Sequence, residues 1–335
     1  MHSVLYVMLI FFVCTEAHRN ISQLDEFEDE RELYENFKAE YDKTYEGRED
    51  GKRFKIFRDN LLKAKMYQQL ERGTANYGVT QFFDLTDEEF RRLYLTYKSP
   101  DEHEPIDRIH VQEVGQLPSY FDWREYGAVG PVRNQGQCGS CWAFSAVENI
   151  EGQWFMKIHN FLSLSVQEVV DCDHADHGCS GGFPIHAYEC VQRLGGLELA
   201  VRYPYVGYQQ YCQADPRYFV AYINGSVALP KDSERIAKFL ATFGPLSVVL
   251  DARLLQYYRS GILNPSVAYC NPEELNHAVL SVGFGTEQGI PYWIIKNSWG
   301  EQWGEQGYFR LYRGDDTCGI NQMVTCATIG WWKPS

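Results

Sequence analysis

The first third of the chain places apolar residues at helical intervals against a strongly charged background. Two stretches, residues 33–41 and 54–66, predict amphipathic helices, because positions three and four apart share one face of a helix. Residues 76–80 are typical of a short strand. Thr86 followed by Glu89 is a capping-box pattern that predicts a third helix. This part of the chain therefore reads as a small helical domain.

Helical periodicity disappears between residues 98 and 116, where prolines and charges predict a linker. The composition changes at Leu117-Pro118, and we expect a domain boundary there. Beyond it, the apolar pattern predicts helices after Cys141, over 163–170 and over 184–194. Strands are predicted over residues 246–250, 278–283, 292–296 and 308–312. A helical half that precedes a β-rich half indicates the α+β class.

The chain begins with an apolar run, residues 4–14, that is too short to cross a bilayer and is followed by a small residue, Ala17. This pattern predicts a signal peptide over residues 1–17 and a protein of the secretory pathway, lysosomal or secreted. Sequons at Asn20 and Asn224 are expected glycosylation sites on such a protein. The net charge of -14 argues against nucleic acid as a partner, and no membrane span is predicted.

Ten cysteines make disulfides the expected cross-links of an exported chain. Cys14 leaves with the signal peptide, and nine cysteines remain. Because nine is odd, at least one thiol must stay unpaired. The parity favours one special cysteine and argues against a redox couple of Cys138 with Cys141, without excluding it.

The stretch from Gln135 to Ser145 joins a turn of small and amide residues to an apolar helix. Ser140 is suited to cap that helix, which places Cys141 in the first turn. Unpaired N–H groups and the helix dipole favour an anion there, so the thiol is biased toward the nucleophilic thiolate. Taken alone, the stretch fits a Cys-x-x-Cys redox pair as well as a nucleophile, and a structural disulfide cysteine is the ordinary alternative.

A cysteine nucleophile needs a base, and the base needs an orienting partner. His277 stands between polar Asn276 and an apolar strand that would hold its ring, although a lone histidine at a strand start is usually structural. Asn297 follows another apolar strand, and its side-chain oxygen can accept from one ring nitrogen. Trp299 could shield that bond from water.

Cys141, His277 and Asn297 stand in the order, and at about the spacing, of the papain-like cysteine peptidase family. Residues 117–335 resemble that family over essentially their whole length. Residues 118–124 resemble its mature start, and residues 179–182 resemble its substrate-pairing glycine motif. Gln135 resembles its oxyanion-hole glutamine.

The leader resembles the family's inhibitory propeptide, with a second short motif over residues 78–84. Its helical motif is carried by Glu49, Arg53, Ile56, Phe57 and Asn60. Ala64 and Gln68 give the variant typical of cathepsin F-like members, and no cystatin-like extension is expected ahead of it. The resemblance implies that residues 18–116 form a helical propeptide lying along the cleft as an inhibitor. We expect Glu49, Arg53 and Asp84 to form ion pairs that hold it.

For residues 117–335 the resemblance implies a papain-like two-domain fold, with a helical domain, a β-barrel-like domain and an active cleft between them. Cys141 would attack a peptide carbonyl, His277 would protonate the leaving amine, and Asn297 would orient His277. The Cys141 N–H and the Gln135 side-chain amide would hold the oxyanion. No metal or cofactor is implied.

The resemblance also assigns binding and cross-linking residues. Gly181 and Gly182 would pair with the substrate main chain, with Trp299 beside the site. The substrate residue two before the scissile bond is called P2, and its pocket would be lined by apolar residues: Phe183, Pro184, Val249, Leu275, Ala278 and Met323. Such a pocket favours Leu, Val or Phe over Arg. The implied disulfides are Cys138–Cys179, Cys172–Cys212 and Cys270–Cys318. Cys190 and Cys326 are either joined by a further disulfide, Cys190–Cys326, or both remain reduced thiols.

The sequence thus predicts the zymogen of a cysteine endopeptidase, monomeric, acting on proteins or peptides and open to cystatin-type inhibitors. One alternative is a catalytically silent binding protein of the same fold, against which the retained Cys141, His277 and Asn297 argue. Another is a thiol–disulfide oxidoreductase, which needs Cys138 free. A zinc site in residues 172–179 is disfavoured, because those thiols should be bridged in an oxidising compartment.

Overall fold

The computed structural model describes residues 30–98, 108–111 and 116–330. The predicted signal peptide and Asn20 lie outside the described residues. The helices are α1 (Glu30–Glu40), α2 (Arg48–Leu70), α3 (Asp87–Tyr94), α4 (Cys141–Ile158), α5 (Val166–Cys172), α6 (Pro184–Leu194) and α7 (Ser233–Phe243). The strands are β1 (Asn76–Tyr77), β2 (Phe121–Asp122), β3 (Gly225–Ala228), β4 (Leu246–Leu250), β5 (Tyr258–Ser260), β6 (Ile262–Leu263), β7 (His277–Glu287), β8 (Ile290–Lys296), β9 (Tyr308–Tyr312) and β10 (Val324–Thr328).

The helical leader is held together by an aromatic cluster. Tyr34 and Phe37 of α1 contact Phe57 of α2, with ring centroids 5.4 and 5.2 Å apart. The capping box at the start of α3 is confirmed, because Thr86 accepts from the Glu89 N–H and Glu89 accepts from the Thr86 N–H. The capping box could be predicted from the sequence because both of its residues lie at the start of one helix.

The ion pairs around Arg53 differ from the prediction. Arg53 contacts Glu49 at 2.7 Å, but it reaches Asp84 through the main-chain carbonyl at 2.8 Å. Its second carboxylate partner is Glu89, at 2.7 Å. The Asp84 carboxylate instead contacts Lys43 at 3.2 Å. Glu89 lies on α3, and only the packing of α3 beside α2 brings it to Arg53.

The helical half of the remaining chain is built around α4, which is buried on almost every side. Helices α5 and α6 fall where the sequence predicts them and pack against it. Ser140 stands at the N-cap position of α4, but its hydroxyl makes no capping bond. It lies 2.7 Å from the Tyr205 hydroxyl and also contacts the Cys138 carbonyl. The predicted N-cap position is confirmed, but the side-chain capping bond is absent because a tertiary partner takes the hydroxyl.

The β-rich half is one sheet of eight strands in the order β3-β10-β4-β7-β8-β9-β6, with β2 also paired to β7. Within the described ranges, its end strands β3 and β6 do not pair, so the expected barrel-like half is an open sheet and not a closed barrel. The outer edge of β3 is occupied instead by a parallel bridge from Arg108 to Ala228. The sequence analysis also missed α7, which Asp232 caps by accepting from the Arg235 N–H.

Three disulfides cross-link the part of the chain that the structure describes: Cys138–Cys179, Cys172–Cys212 and Cys270–Cys318. They are the three pairs that the resemblance implied. Cys190 and Cys326 are separate, buried thiols. Cys326 lies on β10, 3.6 Å from the Asn149 amide nitrogen, and burial raises the pKa of both thiols to about 12.

The leader docks on the β-rich half, and the two share one hydrophobic core. Strand β1 pairs antiparallel with β5. The Tyr257 hydroxyl contacts Asn60 at 3.2 Å and Asp87 at 2.9 Å. No helix in residues 30–98, 108–111 and 116–330 is both long and apolar enough to span a membrane.

Candidate active site

Helix α4 begins at Cys141, and its packing holds that residue in place. Ser145, one turn on, contacts the Ser247 hydroxyl on β4 and the Val279 carbonyl on β7, both at 2.7 Å. These bonds tie the helical half to the sheet beneath the cysteine. The Cys141 side chain is fully buried.

His277 is the first residue of β7, and its ring is fixed from two directions. Its Nε2 lies 2.8 Å from Asn297 Oδ1, which also accepts from the Ser298 N–H at 2.8 Å. Because a carbonyl oxygen can only accept, Nε2 carries the proton and Nδ1 keeps its lone pair. The Trp299 ring stacks on the imidazole at 4.7 Å. The buried Nδ1 has no well-formed hydrogen bond within the described part of the chain, and the Tyr94 main chain beside the ring acts to raise the pKa of His277.

Gln135 is held at the other side of the site by Ser298, a residue that the sequence analysis missed. Its Oε1 accepts from the Ser298 hydroxyl at 2.7 Å, and its N–H donates to the Ser298 carbonyl at 2.9 Å. The Gln135 Nε2 donates to the Cys138 carbonyl at 3.1 Å and carries a second hydrogen. The feature of the sequence that could have indicated Ser298 is its position directly after Asn297.

An extended segment of the leader, Leu95–Lys98, crosses the site. The Thr96 hydroxyl donates to the Gly139 carbonyl at 2.9 Å and lies 3.8 Å from the Cys141 sulfur. The Lys98 N–H donates to the Gly182 carbonyl at 3.1 Å. At Gly181, φ is +111°, and a Cβ would stand 2.1 Å from the Thr96 carbonyl oxygen. A side chain there would therefore prevent the segment from lying down.

The covered site favours uncharged side chains. Burial raises the pKa of Cys141, against the opposing effect of main-chain groups and the Thr96 hydroxyl. Burial also lowers the pKa of His277 to about 4, although the bond to Asn297 favours the protonated ring. Because both shifts disfavour the charged forms, the segment stabilises a thiol beside a neutral imidazole.

Most of the predicted P2 residues form one buried cluster next to Cys141. Phe183, Val249, Ala278 and Met323 belong to it, with Leu275 partly buried at its side. Pro184 opens α6 beside them, and Ile185 joins the cluster without having been predicted. The occupant is Tyr97 of the crossing segment, whose ring meets the Phe183 ring edge-on at 5.8 Å.

The remaining predictions concern Asn224 and the loop at residues 172–179, which borders the P2 cluster through the contact of Asp176 with the Phe183 N–H. Asn224 is exposed, and its side-chain oxygen accepts from the Gly330 N–H at 2.6 Å. In the loop at residues 172–179, both cysteines are in disulfides. No cluster with metal-ligand geometry occurs in the part of the chain that the structure describes.

Comparison with known proteins identifies both parts of the chain. Residues 117–328 match the papain family of cysteine proteases, and residues 34–90 match the cathepsin propeptide inhibitor domain. The chain belongs to the papain family of cysteine proteases, and its leader is a propeptide with the inhibitor fold.

Relatives and solved structures agree with this placement. Cathepsin F of Mus musculus is 46% identical over 302 residues, which cover 89% of this chain and 64% of the mouse protein. Cathepsin F of Drosophila melanogaster is 38% identical over 89% of this chain and 50% of the fly protein, so the chain spans one half to two thirds of these relatives. A digestive procathepsin L2 proteinase from Tenebrio molitor superposes with a TM-score of 0.83 at 34% identity, covering 90% of this chain and all of the beetle chain.

Proposed function

We propose that this protein is the zymogen of a cysteine endopeptidase of the secretory pathway, lysosomal or secreted. The observation that carries the proposal is the crossing segment: the Thr96 hydroxyl lies 3.8 Å from the Cys141 sulfur, and Cys141 shares one buried cluster with Ala278, the residue after His277. A site of this kind is inactive while covered and becomes usable when the segment leaves. The Cys138–Cys179 bridge argues against the oxidoreductase alternative, which needs Cys138 free.

The chemistry begins when water replaces the segment. The desolvation that opposes both charges is then relieved, and the Cys141 thiol can pass its proton to Nδ1 of His277. The thiolate attacks the peptide carbonyl, and the oxyanion is held by the Cys141 N–H and the free hydrogen of Gln135 Nε2, each worth ~3–4 kcal/mol.

The same proton completes the reaction. The C–N bond breaks as Nδ1–H of His277 protonates the leaving amine, which leaves a thioester on Cys141. Neutral His277 then takes a proton from water, and the hydroxide attacks the thioester carbonyl. The C–S bond breaks, the carboxylic acid product leaves, and the Cys141 thiolate regains a proton from His277. Asn297 accepts from Nε2 throughout, so the ring keeps the orientation that both proton transfers require.

The P2 pocket supports a preference for apolar residues. Tyr97 already occupies it with an aromatic side chain, and Met323 offers no charge to balance a guanidinium. An unpaired buried charge would cost several kcal/mol. We therefore expect substrates with Leu, Val or Phe at P2 to exceed Arg by at least ~10-fold in kcat/KM, which is ~1.4 kcal/mol.

The test is hydrolysis of a matched pair of fluorogenic dipeptides, Leu or Arg at P2, by enzyme matured from the full chain. Wild type should cleave the Leu substrate, Cys141→Ser should be folded and inactive, and Met323→Glu should raise the relative rate on Arg. Substantial hydrolysis by Cys141→Ala would overturn the mechanism. Equal rates on both substrates would overturn the pocket assignment alone.

A further inference from the structure

Phe183, one wall of the P2 pocket, is held by a carboxylate and a histidine outside the pocket. The Asp176 carboxylate accepts from the Phe183 N–H at 3.0 Å through Oδ2, and its Oδ1 lies 3.1 Å from Nδ1 of His186. The His186 ring meets the Phe183 ring edge-on at 5.3 Å. Both the backbone and the ring of Phe183 are therefore in contact with this pair.

The same carboxylate also lies against the backbone at Gly182, which we expect to pair with the substrate main chain. A Cβ on Gly182 would stand 2.6 Å from the Asp176 carboxyl carbon, so the backbone there lies directly against it. Phe183 is the N-cap of α6 and makes no capping bond with its own side chain, while Pro184 has no N–H to offer. Asp176 therefore supplies the acceptor for the first N–H of this helix.

We propose that Asp176 and His186 are positioning residues that make the P2 selectivity of the enzyme depend on pH. The inference rests on the proposed peptidase function and deepens it. When His186 is protonated, the pair is a charge-assisted bond that holds Asp176, and through it Phe183, at one depth in the pocket. When His186 is neutral, the weaker bond lets the wall move, and a large apolar side chain loses part of its contact.

The charges that face His186 favour its protonated form. Asp176 is the nearest, and Glu189 lies one turn on along α6. Asp173 of the same loop contacts Arg193 at 3.7 Å, and burial raises the pKa of its carboxyl to about 6, so its contribution fades in acid. The hydrogen bond to Asp176 raises the pKa of His186, against a smaller opposing effect of burial. A raised pKa means that the charged pair is present in acid and is lost as the pH rises through that pKa. Selectivity should therefore be greatest at acidic pH.

The experiment measures kcat/KM for two substrates that differ only at P2, Phe against Ala, from pH 5 to pH 8. The ratio cancels the ionisations of Cys141 and His277, because both substrates share them. In wild type the Phe/Ala ratio should fall by roughly threefold or more between acid and neutral pH, the scale of a lost apolar contact. His186→Gln keeps a donor without a charge, so its ratio should be low and flat.

Asp176→Asn should lower the ratio as His186→Gln does. His174→Gln, a change at an exposed histidine of the same loop, is the matched control and should follow wild type. A merely structural role would reduce the rates on both substrates equally and leave the ratio unmoved. If the His186→Gln and wild-type ratios coincide at every pH, the inference is wrong. If wild type cleaves neither substrate, the proposed function fails instead.

Discussion

The body of the propeptide and its cleft segment contact the enzyme in opposite ways. The body, α1 to α3, pairs β1 with β5 but docks mainly through aromatic side chains. Phe82, Phe90 and Tyr94 surround Trp299 with ring centroids 5.1, 5.5 and 6.0 Å away. The segment, residues 95–98 with 108–111, docks largely through its main chain, with N–H groups of Tyr97, Lys98 and Ile109 donating to enzyme carbonyls.

This difference suggests that one part of the propeptide sets how tightly it binds the enzyme and the other part sets how well it covers Cys141. Buried aromatic rings contribute most of the free energy of docking, because apolar burial scales with area while each hydrogen bond is worth ~1 kcal/mol net. Main-chain bonds, in contrast, do not depend on side-chain identity, and they lay the segment over Cys141 with Tyr97 placed in the P2 pocket. The body should therefore decide whether the propeptide stays, and the segment should decide how well Cys141 is covered.

The largest effect should come from the body. Phe82→Ala removes a buried ring that contacts Phe90, Tyr94 and Trp299, and it should cost ~3–5 kcal/mol of unfolding free energy. Urea unfolding of the full chain, carried in Cys141→Ser to prevent processing, measures this. Leu62→Ala is the control, since Leu62 is 64% exposed. Equal losses in both variants would contradict a body held by its aromatic face.

Arg108, like Thr96 and Tyr97, contacts the enzyme through its side chain. Its guanidinium donates to the Leu229 and Gln322 carbonyls at 2.5 and 2.7 Å. Arg108→Ala should cost ~2 kcal/mol locally, which is roughly 30-fold in an opening equilibrium. Hydrogen exchange of the Ile109 amide, bonded to the Ala228 carbonyl at 2.9 Å, reports it. His110→Ala, a change at an exposed residue of the same segment, is the control. Unchanged hydrogen exchange in Arg108→Ala would show that the Arg108 side chain does not hold the segment in place.

Acid should loosen the body through Glu89. Burial acts to raise the pKa of this carboxyl, but bonds from Arg53 and the Thr86 N–H outweigh it and lower the pKa from 4.5 to about 2. Its stabilisation is therefore complete above pH ~4.5 and disappears as the pH falls toward 2, with ~1 kcal/mol already lost at pH 4.

Urea titrations of the Cys141→Ser chain at pH 7, 5, 4 and 3 should show the advantage over Glu89→Gln unchanged from pH 7 to 5 and shrinking below. Glu88→Gln, at an exposed position of α3, is the control. An advantage that shrinks between pH 7 and 5 would contradict the assignment to Glu89.

The smallest effect on stability should come from Thr96, at the centre of the cleft. Thr96→Val keeps the shape and loses the bond to the Gly139 carbonyl, ~1 kcal/mol. Because ~1 kcal/mol is roughly fivefold in the fraction of molecules whose Cys141 is uncovered, alkylation of Cys141 in the unprocessed chain should accelerate by roughly fivefold. The unfolding midpoint should barely move. Thr242→Val on α7 controls for the substitution. A large fall in the midpoint without faster alkylation would reverse the roles of segment and body.

Local pattern was sufficient for much of this protein. Helix α6 and strands β4 and β9 have the predicted bounds, because apolar periodicity is a property of neighbouring residues. The family could be recognised because Cys141, His277 and Asn297 stand in a motif order that the linear chain preserves.

Tertiary structure alone decided the contacts between distant elements. Glu89 joins Glu49 as a carboxylate partner of Arg53, and Tyr205 takes the hydroxyl of Ser140, since Glu89 and Tyr205 each come from another element. The outer edge of β3 is bridged by Arg108, which is more than 100 residues away in the sequence. Asp176 and His186 meet only because α6 folds back over its own loop, and no periodicity in the sequence encodes a pairing of that kind.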